Sequence, residues 1–559
     1  MDPIELQVLT GALHAICEEM GAVLIGSAHS ANIKERRDAS TALFSPDGEM
    51  VMQAEHIPVH LGAMPAAVRA VLDKRHAPGR SWVLNDPYRG GTHLPDITVI
   101  TPVFAAGGRG GPTAAARDRG GPHGQSGPCA QAGTLAQTVP HAQTVPHAQT
   151  GTREQTGTRE QADDAPALIG FAASRAHHAD VGGPTPGSMP ADSRTLADEG
   201  VVIEPQVLDE AAIERLSALM RRPDQRRADL RAQLAAGRIG VMRLGQLAQR
   251  VGTGTLLAAY EEVLDYAERR TRACLAALPD GDLHAIDVLE AREGDLRMQL
   301  RATVHGDELT LDFTGTAAQH EGNLNCPLAV TRSAAYFAVR VLTDPDIPAN
   351  AGAHRPVHVI APEGSLLNAM PAGDPGASPA VVGGNVETSS RVADIVLHAF
   401  GRALGQGTMN NLTLGDEAGV VYYETIAGGQ GACADADGPD AVHVAMSNTL
   451  NTPVEALELE FPLRVTEYAL RRGSGGRGRH RGGDGVVREL EALAPLRFSL
   501  ITERRRHRPR GAAGGEPGAP GRNLIDGREL GPKSSGELSP GQRLRIETPG
   551  GGGYGAPAP

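Results

Sequence analysis

The first 25 residues of the chain alternate apolar and polar positions at helical spacing. Apolar residues recur at roughly helical spacing at Ile4, Val8, Ile16, Met20 and Val23, and Asp2 and Pro3 supply an N-cap and a first-turn proline. The pattern therefore predicts an amphipathic opening helix that ends near residue 25.

A different alternation, typical of strands, follows this helix. Short apolar runs at 42–44 and 50–53 flank the turn sequence Ser45-Pro-Asp-Gly48, which predicts a β-hairpin. Two longer apolar runs, at 97–104 and 167–174, also read as strands. If these two pair as an antiparallel hairpin, the start of one lies beside the end of the other.

The rest of the chain changes character twice. A long Leu-, Ala-, Arg- and Glu-rich stretch from 207 to 277 is helical in pattern, with breaks near Pro223 and Gly252. After Gly281 we expect strands near 298–304 and 308–313, joined by the turn His305-Gly-Asp307, then helices at 331–343 and 387–404, and a glycine-rich, β-rich end beyond Val421.

These elements indicate a mixed α+β, multi-domain architecture with antiparallel sheets and a central helical segment, because no regular βαβ alternation occurs. We divide the chain into a N-terminal α+β unit formed by 1–106 and 167–205, an insertion at 107–166, a helical segment at 206–280, an α+β unit at 281–420 and a β-rich unit at 421–559.

The insertion at 107–166 has a composition of its own. Gly, Pro, Thr, Gln and Arg dominate it, and a six-residue unit repeats from Gln137 to Glu160 as QTVPHA, QTVPHA, QTGTRE and QTGTRE. With so few apolar residues to bury, we expect disorder. The insertion would replace the tip of the hairpin formed by 97–104 and 167–174, roughly 25 Å from its other end at about 3.3 Å per residue.

Composition excludes several classes of function. A net charge of −13 and a pI near 5.9 argue against a general nucleic-acid or anionic-membrane binder. The five cysteines are scattered without a CxxC spacing, so a disulfide framework or a thiolate zinc site is not expected. No basic leader opens the chain and no stretch approaches the ~18 apolar residues of a membrane span, so we expect a cytoplasmic protein.

Two clusters of metal-binding side chains adjoin the paired strands. Thr92-His-Leu-Pro-Asp96 precedes the first strand, and Ala176-His-His-Ala-Asp180 follows the second. If the strands pair, His93 and Asp96 meet His177, His178 and Asp180. Imidazole nitrogens and carboxylate oxygens without a thiolate suit a divalent ion such as Mn, Fe or Zn and leave positions for water or substrate.

Adjacent strand residues point to opposite faces, so one of His177 and His178 is expected to bind the ion and the other to support it or face the substrate. The residues alone leave open which does which. A further polar segment, Glu55-His56-Ile-Pro-Val-His60, could contribute its histidines to the same site.

A third feature lies before a predicted helix. Gly383, Gly384 and Asn385 form a glycine turn at its N-terminus, where free backbone N–H groups could bind an anion or substrate. No GxxxxGK[ST] phosphate loop and no GxGxxG motif occur, so an ATP site, if one is used, is expected on another chain.

The chain resembles the hydantoinase B family, relatives of the C-terminal half of ATP-dependent 5-oxoprolinase and of the metal-bearing subunit of acetone and acetophenone carboxylases. The segments that carry the resemblance span nearly the whole chain outside the insertion. They are Ser30-Ala-Asn-Ile-Lys-Glu-Arg36 with Asp38, Gln53–Gly62, Asn85–Asp96, Ala176–Asp180, Gly384–Thr388, Asn448-Thr449 with Glu455, Gly482–Gly485, Gly514–Gly518 and the glycine-rich end.

This resemblance implies a subunit that works with a hydantoinase A type partner, which binds ATP and activates the substrate by phosphoryl transfer. It implies that His93, Asp96 and His178 or His177 bind a divalent metal, with Glu55 and Asp180 as further ligands. We assign His178 to the metal, and His56, His60 and His177 to proton transfer.

Three functions are compatible with these observations. The first is ATP-dependent opening of a cyclic amide such as 5-oxoproline or a hydantoin, by a hetero-oligomer. The second is ATP-dependent carboxylation of a ketone at the same metal. The third is a non-catalytic scaffold for the ATPase partner. The first two require the two clusters to converge on one metal ion and differ in their dependence on bicarbonate, whereas dispersed clusters would favour the third.

Overall fold

The two strands that adjoin the predicted metal clusters are hydrogen-bonded to each other in a six-stranded antiparallel sheet. The structure is a computed structural model and describes residues 1–55, 57–105 and 166–558. The strand order in this sheet is β2-β1-β5-β4-β3-β6. Its strands are β1 (Ala39–Phe44), β2 (Met50–Glu55), β3 (Ser81–Leu84), β4 (Asp96–Phe104), β5 (Leu168–His177) and β6 (Gln206–Leu208).

The register between β4 and β5 places Asp96 opposite His177 and Phe104 opposite Leu168. Both predicted hairpins, 42–44 with 50–53 and 97–104 with 167–174, are therefore confirmed. The insertion leaves this sheet at the end of the strands away from Asp96. The predicted disorder of 107–166 falls on a segment that lies, except for its last residue, outside the described residues.

The helices follow the predicted breaks at Pro223 and Gly252. One short strand, β6, replaces the start of the predicted helical segment. The helices are α1 (Pro3–Ser27), α2 (Ala31–Lys34), α3 (Met64–Arg69), α4 (Leu196–Glu199), α5 (Glu210–Ser217), α6 (Pro223–Val251), α7 (Thr253–Leu275), α8 (Leu328–Leu342), α9 (Ala351–His354), α10 (Ser389–Ala399) and α11 (Val454–Glu460).

Helices α1 and α6 cover one face of the six-stranded sheet. Met20 of α1 and Ala172 of β5 both lie against Gly240 of α6, where a side chain larger than hydrogen would collide with them. By length and composition α1 could cross a membrane, a possibility that the apolar count from sequence missed. In this structure its apolar residues Leu13 and Leu24 are fully buried in the core between the helices and the sheet.

Three further sheets complete the α+β architecture. The first of them is antiparallel except for the parallel pair β9 and β10. The strands are β7 (Gly281–Ala291), β8 (Gly294–His305), β9 (Glu308–Asp312) and β10 (Val357–Ile360) in one sheet; β11 (Asn411–Gly415), β12 (Val421–Glu424), β15 (Leu496–Ile501) and β18 (Lys533–Leu538) in the next; and β13 (Leu463–Arg471), β14 (Gly485–Ala492), β16 (Arg522–Ile525), β17 (Arg528–Leu530) and β19 (Arg543–Glu547) in the last.

The glycine-rich end packs backbone against backbone. Gly551 donates its N–H to the carbonyl of Gly483 over 2.9 Å, and its own carbonyl accepts from Gly476 over 2.8 Å. A Cβ at Gly551 would collide with the carbonyl of Gln430. Chains can approach this closely only where no side chain stands between them, which explains why the end of the sequence is so rich in glycine.

This packing predicts opposite effects for two Gly→Ala substitutions. Gly551→Ala forces apart two backbones and should lower the free energy of unfolding by about 2–3 kcal/mol or more. Gly245→Ala, inside α6 with open space around its Cα, should raise it by about 0.5–1 kcal/mol through helix propensity. Urea unfolding of both variants checks this. A Gly551→Ala protein as stable as the parent would contradict the packing argument.

A buried group of charges joins β7, α10 and the loop that follows β15. Arg391 and Arg504 contact the carboxylate of Asp287 at 3.2 and 3.0 Å. Arg391 lies 3.4 Å from Glu503, which also pairs with Lys533. Each of these charges is buried with an opposite charge beside it, as burial of an ion requires.

Glu387 lies next to this group, but none of the described arginine, lysine or histidine side chains forms an ion pair with it. One carboxylate oxygen accepts from the Thr408 hydroxyl at 2.9 Å and from the Met409 N–H at 3.2 Å. Burial, reinforced by the charge of Glu503, raises the pKa of Glu387 from 4.5 to about 8. Glu387 is therefore protonated in the folded protein at neutral pH.

This raised pKa predicts a pH-dependent stability. Between pH 4.5 and about 8 the unfolded chain ionises Glu387 while the folded protein keeps the proton, so the free energy of unfolding falls as pH rises. Glu387→Gln should remove this contribution, giving a gain over the parent on the order of a few kcal/mol at about pH 9 and little at about pH 4. Urea unfolding at both pH values measures it; equal gains would refute the assignment.

Candidate metal centre

Three of the predicted ligands converge where β4 begins and β5 ends. His93 Nε2 and His177 Nδ1 each lie 3.1 Å from Asp96 Oδ1 and 3.2 Å from each other. All three side chains are buried. Ligand atoms held about 2.1 Å from one ion at right angles lie about 3 Å apart, so this triangle has the spacing of three ligands on one face of a metal ion.

The second carboxylate oxygen of Asp96, Oδ2, has two polar contacts of its own. Thr92 donates its hydroxyl to Asp96 Oδ2 at 2.5 Å, and His60 Nε2 lies 3.5 Å from the same oxygen. His60 is fixed in turn by Ser40 at 2.9 Å. These contacts leave Oδ1 facing the two imidazoles, so the carboxylate has one defined orientation.

Electrostatics favour the charge states that a metal ion needs. Burial alone would raise the pKa of Asp96, but the neighbouring His93 and hydrogen bonds from His177 and His60 outweigh it and hold the pKa of Asp96 well below its usual range. Burial lowers the pKa of His177. An ionised carboxylate and a neutral imidazole are the forms that bind divalent cations.

The adjacent histidine points the other way. His178 faces α6, where its Nε2 lies 3.0 Å from Gln233 Oε1. Burial lowers the pKa of His178 to about 4. The geometry places His177, and not His178, beside Asp96, opposite to the expectation that His178 binds the metal and His177 moves the proton: side chains alternate along β5, and the residue paired with Asp96 is His177.

Asp180 also lies outside the triangle. Its carboxylate accepts hydrogen bonds from the N–H groups of Gly182 and Gly187 at 2.8 and 2.9 Å, and from the side chain of Arg221 at 3.0 Å. These donors occupy both oxygens, so the structure gives Asp180 the role of holding the loop after β5. The expectation that it is a further ligand does not fit this geometry.

The remaining predicted residues divide into three groups. Glu55 ends β2, but its side chain and all of His56 lie outside the described part. His60 lies behind Asp96 and does not line the cavity described below. Gly384 and Asn385 already donate their N–H groups to Asn323 and Val381, at 2.9 and 3.0 Å, which leaves these two groups unavailable to an anion.

Close packing explains why residues 383 and 384 are glycines. A Cβ at either position would collide with Asn323 or with the carbonyl of Asn325, so the glycines let this turn approach the preceding loop. The helix predicted over 387–404 begins earlier, as one π-helical turn (Gly384–Thr388) that continues into α10. Of this turn, the side chains of Asn385 and Val386 line the cavity described below.

A cavity of about 30 Å³ opens beside the triangle of His93, Asp96 and His177, which we call the metal triangle. Its size suits an ion and one or two waters and is smaller than an amide ring, so a ring must displace part of the lining. The lining combines the triangle with further polar and apolar side chains: Asp38, Ile57, Val59, His93, Asp96, His177, Asn385, Val386, Met409, Tyr423, Thr425, Met446, Ser447 and Thr449.

Several of these residues carried no site signal in the sequence. Tyr423 stacks on the His177 ring with 4.6 Å between centroids and a 14° interplanar angle, and so fixes that imidazole. Asp38 brings a second carboxylate to the cavity, and its backbone carbonyl accepts from the N–H of His177 at 3.0 Å. Thr449 and Asp38 stood within family-like segments, but Tyr423 follows no recognisable motif.

The three-residue triangle predicts a clean difference between two neighbours. His177→Gln should lose stoichiometric binding of added Mn²⁺ or Zn²⁺, because the substitution removes one of three ligand atoms. The matched variant His178→Gln should keep the metal and lose only stability, by about 1–3 kcal/mol for the buried contact with Gln233. Metal content by mass spectrometry after dialysis measures both. Equal metal loss in the two variants would contradict the assignment.

Comparison with known proteins gives a consistent picture. The family model described as "Hydantoinase B/oxoprolinase" matches residues 2–122 and 159–557. The sequence is 37% identical to "5-oxoprolinase 1" of Arabidopsis thaliana over 595 aligned positions, which cover 99% of this chain and 42% of the plant protein. This chain therefore spans less than half the length of that relative.

Two solved structures resemble this one along their length. The ATP-dependent caprolactamase from Pseudomonas jessenii superposes with a TM-score of 0.83 at 26% identity, covering 100% of this chain and 91% of that chain. A nucleotide-free acetone carboxylase superposes with a TM-score of 0.78 at 16% identity, covering 99% of this chain and 76% of that chain. The second likeness concerns the fold alone.

Proposed function

We propose, from the premise that the chain belongs to the hydantoinase B/oxoprolinase family, that it is the metal-bearing part of an ATP-dependent enzyme that opens a cyclic amide such as 5-oxoproline or a hydantoin. The observation that carries the proposal is the buried triangle of His93, Asp96 and His177 at the wall of a cavity that also exposes amide and hydroxyl groups. Relatives that act on cyclic amides by name support the substrate class.

The residues present fit a divalent metal ion. His93 Nε2, His177 Nδ1 and Asp96 Oδ1 would hold it, and Asp38 is the other acidic residue among those that line the cavity. Nitrogen and oxygen donors without sulfur suit Mn, Fe or Zn. Such an ion supplies Lewis acidity, lowering the pKa of a bound water toward neutrality or polarising an amide carbonyl.

The protein's own residues orient and isolate this chemistry. Thr92 and His60 fix Asp96, and Tyr423 fixes the ring of His177, so the ligand atoms need no reorganisation when substrate binds. Ile57, Val386 and Met446 give the cavity an apolar part that can contact the hydrocarbon side of a ring. Met409 and Met446 are flexible enough to move when the ring enters.

An unactivated ring amide is a poor electrophile, and the proposal therefore includes a partner. The chain contains no phosphate-loop sequence, and it spans 42% of the plant 5-oxoprolinase. We infer that a hydantoinase A type subunit binds ATP and phosphorylates the amide, and that the two chains form a hetero-oligomer. A cytoplasmic location stays a prediction.

The proposal predicts loss of ring opening when the triangle is broken. With the partner, ATP and metal, His93→Ala should lower kcat roughly 10³-fold or more, because the metal-dependent step is lost. His14→Ala, at an exposed position of α1, is the control and should match the parent. Ring opening of 5-oxoproline and hydantoin, followed by product chromatography, measures this.

Two results would contradict the proposed function. Full activity of His93→Ala would remove the metal triangle from the mechanism. ATP hydrolysis that depends on bicarbonate and a ketone, without ring opening, would favour the carboxylase instead.

A further inference from the structure

A pair of hydroxyl groups lies in the wall of the same cavity, in front of a buried arginine. Thr425 Oγ1 and Thr449 Oγ1 lie 2.5 Å apart and share one hydrogen bond. Arg36 Nη2 donates to both oxygens, at 2.9 and 3.2 Å. Both threonines line the cavity that contains the metal triangle. We call these three residues the Arg–Thr–Thr unit.

Counting protons shows what this unit offers. Each threonine hydroxyl has one proton, and both oxygens already accept from Arg36. One hydroxyl donates to the other, which leaves one O–H whose proton has no acceptor among the described side chains. Because both groups line the cavity, this remaining O–H is available as a donor to whatever occupies it.

The arginine makes that donor stronger. Arg36 is fully buried, and its described contacts are all with neutral groups: the two threonines, the carbonyl of Tyr423 at 2.8 Å and the Tyr423 ring at 4.5 Å. A buried cation with neutral neighbours polarises the hydroxyls it donates to. The unit therefore favours an oxygen that carries partial or full negative charge.

A hydrogen-bond acceptor, Asn385 Oδ1, belongs to the lining of the same cavity. The Asn385 side chain is 3% exposed, lines the cavity and has an Oδ1 without a hydrogen-bond partner among the described residues. A buried oxygen left without a donor is costly, so this position is arranged to receive an N–H. The described lining thus includes, beside the metal triangle, a donor in the Arg–Thr–Thr unit and an acceptor in Asn385 Oδ1.

The geometry points to recognition of the polar edge of the intact ring amide, before phosphoryl transfer to its oxygen removes the N–H proton, and we propose that the Arg–Thr–Thr unit donates to the amide oxygen while Asn385 Oδ1 accepts from the ring N–H. A ring forces its amide to be cis, so oxygen and N–H lie on one side and can meet both groups together; an open-chain trans amide presents them on opposite sides. The inference rests on the proposed function for its substrate class and adds the requirement for an unsubstituted ring nitrogen.

Binding of small probes to the metal-loaded chain tests this without turnover. We expect 2-pyrrolidone to bind the parent about tenfold or more tightly than N-methyl-2-pyrrolidone, which has the oxygen but no N–H. The double variant Thr425→Val/Thr449→Val, which keeps the shape and removes both hydroxyls, should weaken 2-pyrrolidone about tenfold to a hundredfold. The double variant Thr425→Ser/Thr449→Ser should restore binding. Titration calorimetry gives these ratios.

A second variant separates the acceptor from the donor. In Asn385→Leu the two probes should bind alike, because the group that distinguishes them is gone. Metal content should stay at the parent's value in Thr425→Val/Thr449→Val and in Asn385→Leu, which a merely structural role in the triangle would not allow. With the active complex, Thr425→Val/Thr449→Val should raise KM by a factor similar to the loss of 2-pyrrolidone binding and change kcat less.

The possible results distinguish this inference from the proposed function. Absence of 2-pyrrolidone binding to the parent, equal binding of the two probes, or unchanged binding in Thr425→Val/Thr449→Val would overturn the inference, even if the complex opens rings. Probe ratios as expected, with no ring opening by the complex, would support the recognition geometry and refute the hydrolase.

Discussion

The antiparallel register of β4 and β5 is the constraint on which the site depends. Because Asp96 is paired with His177, two side chains some eighty positions apart become neighbours through backbone hydrogen bonds alone. A shift of one residue would put His178 in this place and send His177 toward α6. Gln233 of α6 donates to the carbonyl of Ile97 at 2.9 Å and lies against His178, so the helix itself holds the register at this end.

Sequence patterns were sufficient for the elements around the site. The opening helix, both hairpins, the breaks at Pro223 and Gly252 and the β-rich end all follow from local periodicity and turn residues. These signals are local, and the packing agrees with them. The convergence of the two metal clusters also followed, because it needs only the pairing of two neighbouring strands.

The parts that could not be predicted depend on contacts between distant segments. The choice between His177 and His178 needs the register, and the saturation of Asp180 needs Arg221 on a later loop. Tyr423, Thr425 and Thr449 come from a different sheet and the loop that follows it, and no spacing in the sequence relates them to β5. The glycines before α10 resembled an anion site because the sequence does not show that their N–H groups are already paired.

The backbone packing of the glycine-rich end also determines how the gene tolerates missense mutations there. Every single-base change in a glycine codon that alters the amino acid adds a side chain, since no residue is smaller. At Gly551 and its contact partner Gly483 each such missense change places atoms where the carbonyl of another loop already lies. In a random library of the gene, this short stretch would therefore collect inactive clones out of proportion to its length, although it contributes no atom to the cavity.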